Sequence, residues 1–436
     1  MRLYPLPLVL AATFAVSPAW SQTGPAPDTP APVQFLAAQP AQAAPANAPA
    51  ARLAPGAQTL TLEQALAMAY ERSPLLAAAR NDAAASEGQV TQAGVIPNPS
   101  IEVGIDDNRR STRSTSAMLS MPVELGGKRG ARIKAAGLAR DIAQRDLASA
   151  RADLRAAVIA AFFEVAVAQE TVRVAQGTIE IAQNALRLAD RRVAAGKAPP
   201  LESSKARVQL ANSRIEARAA DAALTTARRK LGLLWGASEP DFTQVGADLQ
   251  ALPQRGAIDD LRAALAESPR MAAGRLAVDM GRAQLEVEKS KRYPDVTLSA
   301  GITRDTEQGR NKAQFGVAIP LPLFDRNQGN VYSATMQSYK AQDLYRELES
   351  RMTADLLQSV SQFDLAVGSV REYRATVLPG AAEAYDSARK GFEAGKVSFL
   401  EVLDAQRTLS QGNIGYLNVL ANAYQASSDI DRILGR

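Results

Sequence analysis

The chain has 436 residues, with 50 Lys+Arg against 45 Asp+Glu, a formal charge of +5, and neither Cys nor His. Lack of Cys removes disulfides, thiolate nucleophiles and thiolate metal sites, and lack of His removes a Ser-His-Asp triad and an ordinary zinc site. The charges are mixed, with no Lys/Arg block interleaved with aromatics, so nucleic acid is not an expected partner.

Residues 1–21 read as a signal peptide. Arg2 is followed by an apolar run from Leu6 to Val16, broken by Pro7, and then by Ala19 and Ser21 at cleavage-site spacing. That run is too short to span a bilayer, so the chain is expected to be exported without a transmembrane helix. Residues 22–57 are rich in Pro and Ala and nearly free of charge, the composition of a linker.

The rest reads as two modules, residues 58–236 and 257–436, joined by a segment over 237–256. Ser73-Pro74 recurs as Ser268-Pro269, and Ile96-Pro97-Asn98 as Tyr293-Pro294-Asp295. The stretch from Val193 through Gly196 and Lys197 recurs from Phe392 through Gly395 and Lys396. The offset, about 199 residues, is far too long for a solenoid unit and predicts duplication of one large module.

Each module begins with a predicted helix, over 62–93 and 258–291. Two strand-like segments follow. Ile101, Val103 and Ile105 alternate with polar or small residues, as do Ala117, Leu119, Met121 and Val123. In the second module Val296, Leu298, Ala300 and Ile302 form one such row, and Phe315, Val317, Ile319 and Leu321 the other. Alternation over about nine residues is what a tilted membrane strand needs. The connections, 107–114 and 304–312, are polar.

Two very long helices come next, over 128–194 and 328–393, with Pro379 the one interruption. A helix of about 65 residues spans roughly 100 Å, which no compact domain needs. The apolar stripe of the second includes Leu344, Leu348, Met352, Leu356, Val360, Phe363, Val367 and Val370. Gly-containing turns end both runs, and closing helices are predicted over 201–231 and 400–433. Gly126, Gly127 and Gly329 follow the hairpins, where the chain must bend from strand into helix.

Open strand edges cannot face lipid, and four strands cannot close a barrel. Two chains would close eight strands around a filled interior, whereas three close twelve around a conduit. The expected fold is thus an α+β membrane protein: a homotrimer sharing a twelve-stranded β-barrel, four strands per chain, continued by long helices. A periplasmic coiled-coil protein without a pore is the competing reading.

These features resemble the TolC-type outer membrane factor family. The resemblance rests on the duplicated helix–hairpin–helix order, the Ala-Gly-Lys turns, and Val402-Leu403-Asp404-Ala405. Pro97-Asn98-Pro99, the segment from Glu124 to Arg129, and the segment from Ile319 to Gly329 resemble the CzcC-like heavy-metal efflux branch. The resemblance implies a passive outer-membrane exit duct, not an enzyme and without a cofactor. The helices would form a periplasmic tunnel, belted by the segment around 236–254. Its partners would be outer-membrane lipid, a periplasmic adaptor and an inner-membrane RND transporter, and its cargo divalent heavy-metal cations. Drugs or a secreted polypeptide are the alternative cargo.

The same resemblance makes the two turns the tips that meet the adaptor. The contact residues would be Gly196, Lys197, Ala198 and Leu201 on the first, and Gly395, Lys396, Val397 and Leu400 on the second. Glu401 and Asp404, three apart on a helix, would form carboxylate rings at a cation-selective entrance. Crowding should raise some of their pKa values. The first module carries Glu202 and Lys205 instead.

Overall fold

The computed structural model describes residues 59–107, 109, 111–239 and 242–436. The expected signal peptide and linker lie outside these residues. Strand β1 (Thr59–Leu60) leads into α1 (Leu62–Arg72) and α2 (Pro74–Ala93), then β2 (Ser100–Asp106) and β3 (Ser114–Val123). The long α3 (Lys128–Ala194) and α4 (Pro200–Leu233) follow, then β4 (Gln244–Val245). The second half runs α5 (Ile258–Ala266), α6 (Pro269–Ser290), β5 (Val296–Asp305), β6 (Arg310–Ala318), α7 (Gln328–Glu372), a π-helical turn (Tyr373–Val377), α8 (Leu378–Glu393) and α9 (Phe399–Leu434). The helix–helix–hairpin–long helix–helix order therefore occurs twice.

Where one helix was expected over 62–93, two form. Pro74 lacks an N–H and sits at the first position of α2, and Ser73 before it is extended, with φ −61° and ψ 119°. Ser268 and Pro269 divide α5 from α6 in the same way. Pro379 has a related effect farther on. It cannot donate to the carbonyl four residues back, and the helix absorbs this with the π-turn just before it, where the Leu378 N–H donates to the Tyr373 carbonyl.

α3 is 67 residues long, about 100 Å at 1.5 Å per residue. It packs against α2, α4, α6 and α9. One apolar core joins Leu154, Val158, Phe162 and Val165 of α3 to Leu224 and Leu231 of α4 and to Ala65 and Met68 of α1. A second joins Met352, Leu356, Val360 and Phe363 of α7 to Ile430 and Ile433 of α9. Of the stripe expected on α7, Leu344 is exposed and lies outside this core. Among the described residues, no helix is long and apolar enough to cross a membrane.

A belt segment packs against the middle of the helices. β1 and β4 pair in parallel, a two-residue ladder that was not anticipated. The Gln169 amide clamps β4 by accepting from the Val245 N–H (2.7 Å) and donating to its carbonyl (3.2 Å). Arg374, in the π-turn, donates to the carbonyls of Leu249 (2.9 Å) and Gln250 (3.0 Å). Tyr424 stacks on Phe163 at 3.7 Å and donates to the Ala251 carbonyl (2.7 Å). Burial, with Asp248 nearby, pushes its phenol up to about 12.

The four long strands form one antiparallel sheet in the order β2-β3-β5-β6. Ile101, Leu119, Ala300 and Phe315 pair in sequence across it, as do Met121, Leu298 and Val317. All of these apolar side chains lie on one exposed face, which turns polar only at its far end, where Thr115, Arg304 and Asn311 pair. On the other face Ser100, Ser120, Ser299 and Gly316 form a row of small groups, and Gly104 and Ser116 begin another. β6 stops at Ala318, short of the expected Leu321, because Pro320 and Pro322 remove the ladder's donors. Ile319 and Leu321 lie in the connection beyond it.

At the junction after β3, Gly126 and Gly127 take positive φ, 69° and 72°. After β6 the equivalent residue is Asn327, φ 56°, and not the expected Gly329, which is already inside α7. Asn tolerates this left-handed conformation, and its amide is anchored on Glu288.

Candidate functional site

Two helix reversals lie at the ends of α3 and α8, opposite in each module to the hairpins. Both close in the same manner. The Gly196 N–H donates to the Val193 carbonyl (3.0 Å) and the Lys197 N–H to the Arg192 carbonyl (2.8 Å). The Gly395 N–H donates to Phe392 (3.0 Å) and the Lys396 N–H to Gly391 (2.8 Å). These are Schellman caps, which need a left-handed residue; Gly196 and Gly395 supply it with φ 69° and 74°. Pro199 and Pro200 restart the chain as α4, and Ser398 caps α9.

Of the expected contact residues, Gly196, Lys197, Leu201, Gly395, Lys396 and Leu400 are exposed, while Ala198 and Val397 are half-buried. Behind them the two tips are locked together. Phe392, Phe399, Val402, Ala189 and Ala206 form one small core drawn from four helices. The Arg192 guanidinium lies 4.4 Å above the Phe392 ring and donates to that residue's carbonyl at 3.4 Å. Its Nε is 3.9 Å from Glu202, which is only 9% exposed. Ser203 donates to Asp190 at 2.5 Å. Sequence reasoning missed Arg192, Phe392 and Phe399, although aromatics flanking the second turn at seven-residue spacing were a signal.

Glu401 and Asp404 part company. Ser398 and Glu401 form a capping box: the Ser398 N–H donates to the Glu401 carboxylate (2.7 Å), and the Glu401 N–H donates to the Ser398 hydroxyl (3.3 Å). The backbone and hydroxyl of Ser398 hold the Glu401 carboxyl below its ordinary value. Asp404 instead lines a groove of about 420 Å³ between α4 and α9, whose walls include Leu201, Lys205, Leu400, Leu403 and Arg407. Positions 400, 403, 404 and 407 are one helical stripe, and Glu401 is off it. The groove therefore mixes one carboxylate with two cations.

Comparison with known proteins decides the assignment. Residues 65–237 and 261–436 match the outer membrane efflux protein family, one match for each module. The chain belongs to that family. It is an outer-membrane efflux protein, with its helical part in the periplasm. It is 49% identical over 377 residues to the cobalt-zinc-cadmium resistance protein CzcC of Cupriavidus metallidurans, covering 86% of this chain and 90% of that one. It is 31% identical over 294 residues to the nickel and cobalt resistance protein CnrC of the same organism, covering 64% and 67%. Among solved structures, VceC from Vibrio cholerae superposes with a TM-score of 0.72 at 19% identity, over 86% of this chain and 96% of that one. CusC does so with a TM-score of 0.74 at 17% identity, over 86% and 91%. The family is one of efflux channels and not of enzymes.

Proposed function

We propose that three copies of this duplicated chain close a twelve-stranded barrel in the outer membrane, continued by a helical tunnel, as the exit duct of a tripartite pump. The observation that carries this reading is the four-stranded sheet. It exposes a largely apolar face suited to lipid, turns the other way a face of Ser, Gly and Thr with Glu102, Gln314 and Lys312 among them, and leaves β2 and β6 as edges. Unpaired backbone in a membrane costs several kcal/mol per group, so those edges must meet other strands. Copies arranged β6 to β2 keep the antiparallel alternation around the ring.

The cargo is a divalent heavy-metal cation. This is supported by the two relatives named for resistance to cobalt, zinc, cadmium and nickel. An inner-membrane RND transporter loads the duct through a periplasmic adaptor. The adaptor meets Gly196, Lys197, Ala198 and Leu201 together with Gly395, Lys396, Val397 and Leu400. Asp404 from each copy, assisted by Glu401, gives the entrance its preference for cations.

The experiment is metal accumulation in cells that carry the adaptor and transporter, with and without this chain. Lower cellular zinc, cobalt or cadmium when the chain is present is the expected result. Unchanged metal content with altered sensitivity to drugs would transfer the reading to a drug duct.

A further inference from the structure

Where the sheet gives way to the helices, four connecting segments stand side by side in the order of their strands: 94–99 before β2, 124–127 after β3, 291–295 before β5, and 319–327 after β6. Neighbours in this row are tied together. Arg129 donates to the Gly94 carbonyl (2.7 Å), and Arg132 pairs with Glu124 while donating to the Val95 carbonyl (3.4 Å), joining the first segment to the second. Asp295 accepts from the Leu125 N–H (3.2 Å) and from Lys128 (2.7 Å), joining the second to the third. The Asn327 amide donates to the Glu288 carbonyl (2.8 Å) near the end of α6, tying the fourth segment to the helix that leads into the third.

The row ends there. The fourth segment and the first sit at opposite edges of the sheet, and both carry bare apolar side chains. Phe324 is 90% exposed, Leu321 74%, and Ile96 55%. Neither segment can extend the strand ladder, because Pro97 and Pro99 on one and Pro320 and Pro322 on the other lack an N–H. What joins them must be side-chain packing.

We propose that the occupant is a second copy of this chain: residues 319–324 of one protomer pack on residues 95–99 of the next, an apolar clasp that closes the ring of segments at the periplasmic mouth of the barrel. The strand directions support it. β2 begins at the end of the sheet where β6 finishes, and alternation across a β6–β2 joint is antiparallel like the rest. A copy docked on that edge brings its 95–99 segment beside 319–324 without further movement. The clasp thus supplies the one link that a single chain lacks and blocks propagation of pairing below the barrel. It rests on the trimer reading above and goes beyond it by naming the contact.

The chain has no Cys, so engineered pairs report without background. Ile96→Cys is combined in turn with Ile319→Cys, Leu321→Cys and Leu323→Cys, and outer-membrane extracts are boiled in SDS without reductant. The clasp predicts a covalent ladder up to trimer from at least one pair, because a disulfide forms only where Cα atoms approach within about 7 Å. The ladder must vanish on reduction. An unboiled trimer with no cross-link from any of the three pairs overturns the clasp and leaves the trimer standing. Absence of an unboiled trimer from the parent chain overturns both.

Discussion

Glu401 and Asp404 are three residues apart but differently engaged, and their substitutions should separate. Because the folded-state pKa of Glu401 is lowered, its contribution to tip stability is present above the ordinary Glu value of about 4.3 and is lost as pH falls through the folded value. Ser398→Ala keeps the backbone N–H donor, so it should only reduce that acid sensitivity while costing about 1 kcal/mol; Glu401→Gln should remove it, read by thermal unfolding at pH 3 and pH 7. Persistence of the same acid transition in that variant would detach it from the capping box. For conduction, Glu401→Ala with Asp404→Ala should lower cation selectivity, and Asp404→Asn alone should reproduce most of that loss, measured as reversal potentials in bilayers. Equal selectivity in all variants would make Asp404 an ordinary groove residue. Ser398 three before Glu401 is the spacing of a capping box, but Glu401 was read from the sequence only as part of a carboxylate ring. Arg192 on Phe392 was beyond reach, since it joins residues 200 positions apart.

At the scale of elements, the strands, long helices and turns were visible because each carries its own period: two for the strands, about 3.6 for the helices. The breaks were less visible. The helix boundaries at Pro74 and Pro269 follow from a missing N–H that the apolar pattern runs straight across. The β1–β4 ribbon has only two residues per strand, too few for any period. Arg374 binds the belt from within the π-turn, so Arg374→Ala should speed limited proteolysis between 247 and 252 while the tips stay resistant. Unchanged cleavage would mean that Tyr424 suffices to hold the belt. Gly395→Val forces a β-branched residue to φ 74°, with a strain of about 1–2 kcal/mol. It should lower efflux-dependent metal tolerance with trimer yield nearly unchanged. If cross-links to the adaptor instead map near Asp107 and Asp305, the tips have been assigned to the wrong end.

The whole molecule depends on what covers the sheet. Its apolar face and its two open edges are both unsatisfied in one chain, and the proposed trimer answers them separately, with lipid on the face and neighbouring strands at the edges. Val317→Arg places a charge on the apolar face and should cost roughly 2–4 kcal/mol near the bilayer midplane, seen as lost assembly. Normal assembly of that variant and of Leu298→Arg would speak against a lipid-facing barrel. The four strands per chain could be read from alternating segments, whereas the expectation of three chains rests on how such edges could close, because closure is a property of edges meeting in another copy. The most direct test is the mass of the particle extracted from outer membranes in mild detergent, measured by native mass spectrometry. Three chains per particle is the predicted result. A particle of one or two chains would contradict a twelve-stranded duct built from four strands each.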